Sequence, residues 1–138
     1  MALDEHTVET FHDSLDRCQA TPTFFANFYD RFIRAHPEVA AKFARTDMRK
    51  QQWVLQASLH MIMLASQGNG ASQVYLARVA ERHSRRHLDI PPEMYDLWLQ
   101  CLVETVAEID PRFNEDVRLA WRRVMASGIS YMKSGYEE

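Results

Sequence analysis

The chain has 138 residues, 46% of them hydrophobic and 25% charged, with a formal net charge of −3. That length and balance fit one domain, residues 1–138, which can bury a core without staples, and the acidity argues against a general affinity for nucleic acid. Two cysteines are too few for a secreted disulfide framework, the opening MALDEHTVET lacks basic and apolar signal regions, and the longest apolar run, HMIMLA, cannot span a membrane, so the chain reads as cytoplasmic.

Helical periodicity dominates, and no stretch alternates strictly as a strand would. A first helix is expected from about Asp4 to Cys18, with Val8, Phe11, Leu15 and Cys18 as its apolar stripe. Thr21-Pro22 has the form of a start signal, a capping hydroxyl followed by proline at the first helical position. From there to about Ala35, the residues Phe24, Phe25, Phe28, Tyr29, Phe32 and Ile33 recur at intervals of one, three and four. That spacing makes one broad apolar face. Tyr29 lies in the middle of it, and a buried phenol left unpaired costs roughly 1–3 kcal/mol. Its hydroxyl therefore needs a partner.

His36 precedes a proline, which disfavours helix, and Pro37 to Phe43 reads as a short helix of its own. Thr46 or Asp47 caps a long helix to about Ser66, and QGNGAS (67–72) is a loop. The next helix is expected from Ser72 to about Arg86, with Val74, Leu76, Val79 and Ala80 facing inward. DIPPEMY stops the chain and restarts it at Pro91. The helix that follows presents Tyr95, Trp98, Leu99, Leu102, Val103 and Val106. Asp110-Pro111 and Asn114 break it, and a last helix reaches about Lys133. The expectation is an all-α fold of six or seven helices around one core.

Particular residues say more. FYDRFIRAHPEVAAKF resembles the second and third helices of the globin family, with Pro37 and Phe43 at the characteristic places. TDMRKQ (46–51) resembles the start of the distal helix of bacterial globins, whose glutamine faces haem. RHSRRHLDIPPEMY resembles the end of the proximal helix, the corner after it and the helix beyond, and the tail YMKSGY resembles the end of the last helix. The landmarks occur in order over most of the chain. The resemblance implies a globin fold around haem b, and the haem domain of bacterial flavohaemoglobins is the nearest pattern.

On that resemblance His83 is the proximal iron ligand, a neutral imidazole being usual there. It follows Gln51 by 32 residues, room for one helix to cross a face and a second to return. A histidine at a helix end is otherwise often solvated or faces the helix dipole. His87, one turn later, is the rival ligand, and His83 with His87 would also suit zinc, although no further ligands stand at a recognisable spacing. The resemblance places His87 at the corner, where with Arg45 and Arg86 it would meet the haem propionates. Phe43 would stack on the porphyrin, and Val79 would line the same pocket. Tyr29, Gln51 and Leu55 would form the distal pocket, with Val54 and Leu59 sharing its wall. A phenol and an amide in a dry pocket can donate to the partial negative charge on bound O₂. Met61 is a weaker candidate for a sixth ligand. Tyr95 would orient the imidazole of His83.

The flavohaemoglobin pattern also has a carboxylate in the last helix, where this chain has Tyr136, and the resemblance is to the haem domain alone, with no flavin or nicotinamide domain expected. The implied function is reversible binding of O₂, NO and CO, with NO dioxygenase turnover only if a separate reductase supplies electrons. A haem-based gas sensor acting through a partner protein is the alternative, and a haem-free interaction domain a third.

Overall fold

The computed structural model describes residues 3–84 and 88–136, and within them seven helices and no strand. They are α1 (Glu5–Gln19), α2 (Phe24–Ala35), α3 (Pro37–Phe43), α4 (Met48–Ser66), α5 (Gly70–His83), α6 (Pro92–Ile109) and α7 (Glu115–Ser134). Short polar side chains set most of the starts by accepting from the free amides of the first turn. Asp4 caps α1 through Thr7, Asp47 caps α4 through Arg49 and Lys50, Asn69 caps α5 through Ser72, and Asn114 caps α7 through Val117.

Three boundaries differ from expectation. Thr21-Pro22 does not open α2: the Thr21 amide donates to the Cys18 carbonyl and the Phe24 amide to the Thr21 carbonyl, so these residues finish a turn off α1. The cap position passes to Thr23, whose side chain makes no capping bond. Helix α5 begins at Gly70, two residues early, because Asn69 takes the cap, and it ends at His83 rather than near Arg86. Helix α6 starts at Pro92, with Pro91 held extended before it.

Helix α7 packs against α1, α4, α5 and α6, and α2 packs against α6 and α3. Trp121, Phe11, Phe24, Phe28, Leu59, Leu102 and Met125 are fully buried between them. At the α4–α7 crossing a Cβ on Gly128 would stand 3.1 Å from Cγ1 of Ile62, so glycine is what lets these helices approach. Cys18 and Cys101 are buried and not bridged, and burial pushes the Cys18 thiol up to about 12.

One polar cluster lies inside this core. The Asp110 carboxylate accepts from Ser14 Oγ at 2.6 Å, from Arg17 Nε at 2.7 Å and Nη2 at 3.0 Å, and from the Arg112 amide at 2.9 Å. Ser14 Oγ in turn accepts from Trp121 Nε1 at 2.9 Å. The cluster ties α1 to the α6–α7 turn and to α7.

Candidate functional site

Helix periodicity sets which residues turn inward beside this core. On α4, Gln51, Leu55, Leu59, Ile62 and Ser66 follow one another at three- and four-residue steps, and all but Gln51 are buried. On α5 the buried residues Ser72, Leu76 and Ala80 form such a stripe, and His83 continues it. Val74 falls on the opposite side and is 56% exposed, contrary to the sequence expectation: its hydrophobicity was misleading, and its place in the helical period decides. Val54 is likewise 39% exposed, whereas Leu59 is fully buried in the core.

Two polar pairs stand on these inward faces. Gln51 Nε2 donates to the Tyr29 hydroxyl at 3.1 Å. Tyr29 is 4% exposed, with its ring edge-on to Phe28 and Phe43. Burial pushes the Tyr29 phenol up to about 12, partly opposed by the Gln51 bond, so it stays protonated. The hydroxyl accepts from Gln51, and its own hydrogen has no protein acceptor among the described residues. Leu55, 4% exposed, follows Gln51 by one turn.

The second pair is His83 Nδ1 and the Tyr95 hydroxyl, 3.0 Å apart. Burial, helped by the charge of Arg82, lowers the His83 pKa to about 4, so the imidazole is neutral near pH 7. Burial also keeps the Tyr95 phenol protonated. With Nδ1 engaged, Nε2 has no protein partner among the described residues. When Nδ1–H donates to the Tyr95 oxygen, Nε2 bears a lone pair, as metal ligation requires.

The turn after His83 is held by residues that local sequence patterns did not mark. The Ile90 amide donates to the His83 carbonyl at 3.0 Å and the Leu88 amide to the Arg82 carbonyl at 3.0 Å. Lys42 Nζ donates to the Leu88 carbonyl at 2.9 Å, and the Tyr136 hydroxyl to Asp89 Oδ1 at 2.5 Å. Asp89 has φ of 51°, a left-handed conformation that aspartate tolerates better than most residues. Asp89 opens the DIPPEMY stop that the sequence marks, whereas Lys42 and Tyr136 carry no such local signal.

The other candidates are placed as follows. Phe43 and Val79 are half-buried against the core, and Arg45 is exposed. Met61 Sδ accepts from Ser72 Oγ at 3.6 Å. Arg86 and His87 lie outside the described residues. Among the described residues no cluster of three or more histidine, cysteine or acidic side chains could hold a metal ion. A surface groove between α2 and α6, lined by Asn27, Arg31, Gln100 and Glu104, contains none of the site residues. Its Arg31 is already spent on Thr105 and on Glu108.

The globin family model matches residues 26–132. The chain is a globin. A solved structure agrees with that assignment over nearly the whole fold: PA3967 from Pseudomonas aeruginosa PAO1, whose crystal structure is described as structurally highly homologous to a human haemoglobin. This globin is 39% identical to it, with 96% of this chain and 99% of that chain covered and a TM-score of 0.91. No curated protein sequence matches. As a globin the chain is a haem-binding protein. The side chains fit such a group: among the described residues, a neutral imidazole with one nitrogen unclaimed, and a phenol whose hydrogen is unshared beside the apolar Phe43 and Leu55. No helix among the described residues is long and apolar enough to cross a membrane.

Proposed function

We propose that this globin holds one haem b through Nε2 of His83 and binds O₂ reversibly, with NO and CO as competing ligands. No Cys-x-x-Cys-His run is present, so nothing in the chain points to covalent attachment of the porphyrin. Haem supplies a ferrous iron that takes a diatomic gas, and the chain supplies everything that discriminates between gases. Tyr95 fixes the ring orientation and tautomer of His83 through Nδ1. Phe43, Leu55 and Val79 exclude water, and Arg45, Arg86 and His87 stand as propionate partners. The Gln51 amide turns the Tyr29 hydroxyl so that its hydrogen points away from the amide, available to a polar ligand.

That unshared hydrogen is the observation that carries the reading. A tyrosine kept only for packing would close its bond on a backbone carbonyl, because a buried donor without an acceptor is costly. O₂ held in this way, with a separate reductase supplying one electron per turnover, would also support oxidation of NO to nitrate.

Adding haem to the purified protein should give a Soret band at one equivalent. Stopped-flow dissociation should then show faster O₂ release in Tyr29→Phe and little change for CO, which is far less polarised. Equal effects on both gases would leave Tyr29 a packing residue.

A further inference from the structure

The charges of this chain are segregated. Residues 42–86 hold eight of its sixteen lysines and arginines but only two of its nineteen acidic residues, Asp47 and Glu81. That third of the chain has a formal charge of +6, and the remainder −9. The positive part comprises the end of α3, all of α4 and α5, and so both of the helices that bear Gln51, Leu55 and His83.

Within it, the outward face of the first turns of α4 is singular. Arg49, Lys50, Trp53 and Val54 lie three and four residues apart on one side of the helix and are all exposed. Trp53, at 76%, is the most exposed large hydrophobic side chain among the described residues. The side chains of Arg49 and Lys50 make no hydrogen bond or ion pair among the described residues, and neither do those of Arg45, Arg78 and Arg82 in the same segment, whereas outside it Arg17, Arg31, Arg34, Arg118 and Lys133 are paired with carboxylates and Arg112, Arg122 and Arg123 are not. Gln51 and Leu55 occupy the other side of the same two turns. A helix is about 10 Å across with its side chains, so the patch lies one helix thickness from the candidate distal pocket.

We propose that Arg49, Lys50, Trp53 and Val54 form the docking surface for an acidic-faced redox flavoprotein, the separate reductase of this globin. The inference rests on the haem reading above. The partner gives up one electron, the ferric iron becomes ferrous, and no bond is made or broken. Arginine and tryptophan are the side chains most often found at the centre of protein interfaces. Unpaired cations within the one segment of net positive charge, on a molecule whose remainder is acidic, steer an acidic partner to this side. A nucleic acid or an anionic membrane is an extended sheet of negative charge, and the −9 remainder would repel it. A protein with a local acidic patch meets only the positive side.

The test uses the haem-loaded protein and flavodoxin, a strongly acidic electron-transfer flavoprotein, as the probe. Amide shifts of the diamagnetic ferrous-CO form, followed as oxidised flavodoxin is added, should move first in residues 47–56. Reduction of the ferric protein by photoreduced flavodoxin should slow at least tenfold in Arg49→Glu/Lys50→Glu at low ionic strength, and the difference should shrink towards 0.3 M salt, within the ~10- to 10³-fold that steering supplies. Glutamate at these positions suits the first turn of a helix, so the variant should fold. Reduction by photoreduced deazaflavin, small and uncharged, should be unchanged, and so should flavodoxin reduction of Arg122→Glu/Arg123→Glu on α7. Trp53→Ala should weaken the shifts while leaving the deazaflavin rate intact. Equal rates in the α4 variant and the parent, equal losses in both double variants, or no shifts in 47–56 would each overturn the proposal. Tighter Arg49- and Lys50-dependent binding to phosphatidylserine vesicles or to DNA than to flavodoxin would overturn it too. A protein that takes up no haem overturns the haem reading instead, and the Soret band is read before any flavodoxin is added.

Discussion

The cluster around Asp110 and the pairs around Tyr29 and His83 are both built from polar groups inside an apolar fold, and they differ in one respect. In the Asp110 cluster each buried group is answered by another: the carboxylate by Ser14, Arg17 and the Arg112 amide, and Ser14 by Trp121. Among the described residues the other two pairs each stop one bond short, Tyr29 with a hydrogen to give and His83 with a nitrogen to offer. A closed network has nothing left for a ligand and serves stability. An open one is costly to bury unless something completes it. The comparison separates the two roles without reference to any relative.

The largest expected effect is at the open nitrogen. His83→Ala should abolish haem retention or raise haem transfer to an acceptor apoprotein by more than about a hundredfold, since it removes the one protein–iron bond proposed. Added imidazole should restore part of the Soret intensity. His87→Ala should retain haem, and the reverse pattern would exchange the two histidines in the reading.

Next in size is the closed network. Asp110→Asn leaves Arg17 without its counter-charge and should cost about 3 kcal/mol in urea unfolding, because breaking one side of a buried pair strands the other. O₂ release should not change. The two regions should also part company with pH. Burial alone would raise Asp110, but the bonds from Arg17, Ser14 and the Arg112 amide outweigh it and hold the carboxyl below its usual range. Its contribution is therefore complete above about pH 4 and lost as pH falls through the folded value. His83 is a base with its folded pKa depressed from 6.5 to about 4, so the unfolded chain takes up the proton first. Between those two values the haem-free chain should lose up to about 3 kcal/mol as pH falls, and His83→Gln should not. Urea titrations of both variants at pH 7, 5.5 and 4 check the two windows.

The same comparison shows what a sequence can reveal. Helices were legible because capping side chains and prolines act within four residues, and inward faces because the period is fixed; the α5 error at Val74 came from reading hydrophobicity ahead of phase. The candidate site residues Tyr29, Gln51, His83 and Tyr95, and their grouping in two pairs, follow from the resemblance; the bonds themselves, Gln51 Nε2 to the Tyr29 hydroxyl and His83 Nδ1 with the Tyr95 hydroxyl, span 22 and 12 residues and carry no local signal. Asp110 read as nothing more than a helix stop. Its partners Ser14 and Arg17 are 96 and 93 residues away, and no local pattern signals such a bond. The Lys42 and Tyr136 contacts to the turn after His83 are hidden for the same reason.

Opening the distal pair should have an intermediate effect. Tyr29→Phe removes the hydrogen and keeps the ring, and a bond to a charged or strongly polarised acceptor is worth about 1.5–3 kcal/mol. O₂ dissociation should therefore rise roughly 10- to 150-fold. Gln51→Leu should raise it less, since the amide acts in part by turning the hydroxyl. The double variant should fall short of additive if the two act on one oxygen. Strict additivity would mean that they act separately.

The smallest effect is expected on the proximal side, at Tyr95. Tyr95→Phe leaves the ring of His83 in a pocket of almost unchanged shape, so packing is conserved and only the bond at Nδ1 is lost. A neutral hydrogen bond contributes about 0.5–1.5 kcal/mol net, which predicts haem loss faster by roughly 2- to 13-fold. The direction follows from the tautomer. With Tyr95 accepting, Nδ1–H is satisfied and Nε2 is the more basic nitrogen; without it, Nδ1–H is left unpaired and the ring is freer to rotate. The iron–histidine stretching frequency of the ferrous protein should fall, a change that a loss of general stability would not produce. An unchanged frequency with an unchanged rate of haem loss would mean that the Tyr95 hydroxyl belongs with the closed network of Asp110, as structure alone.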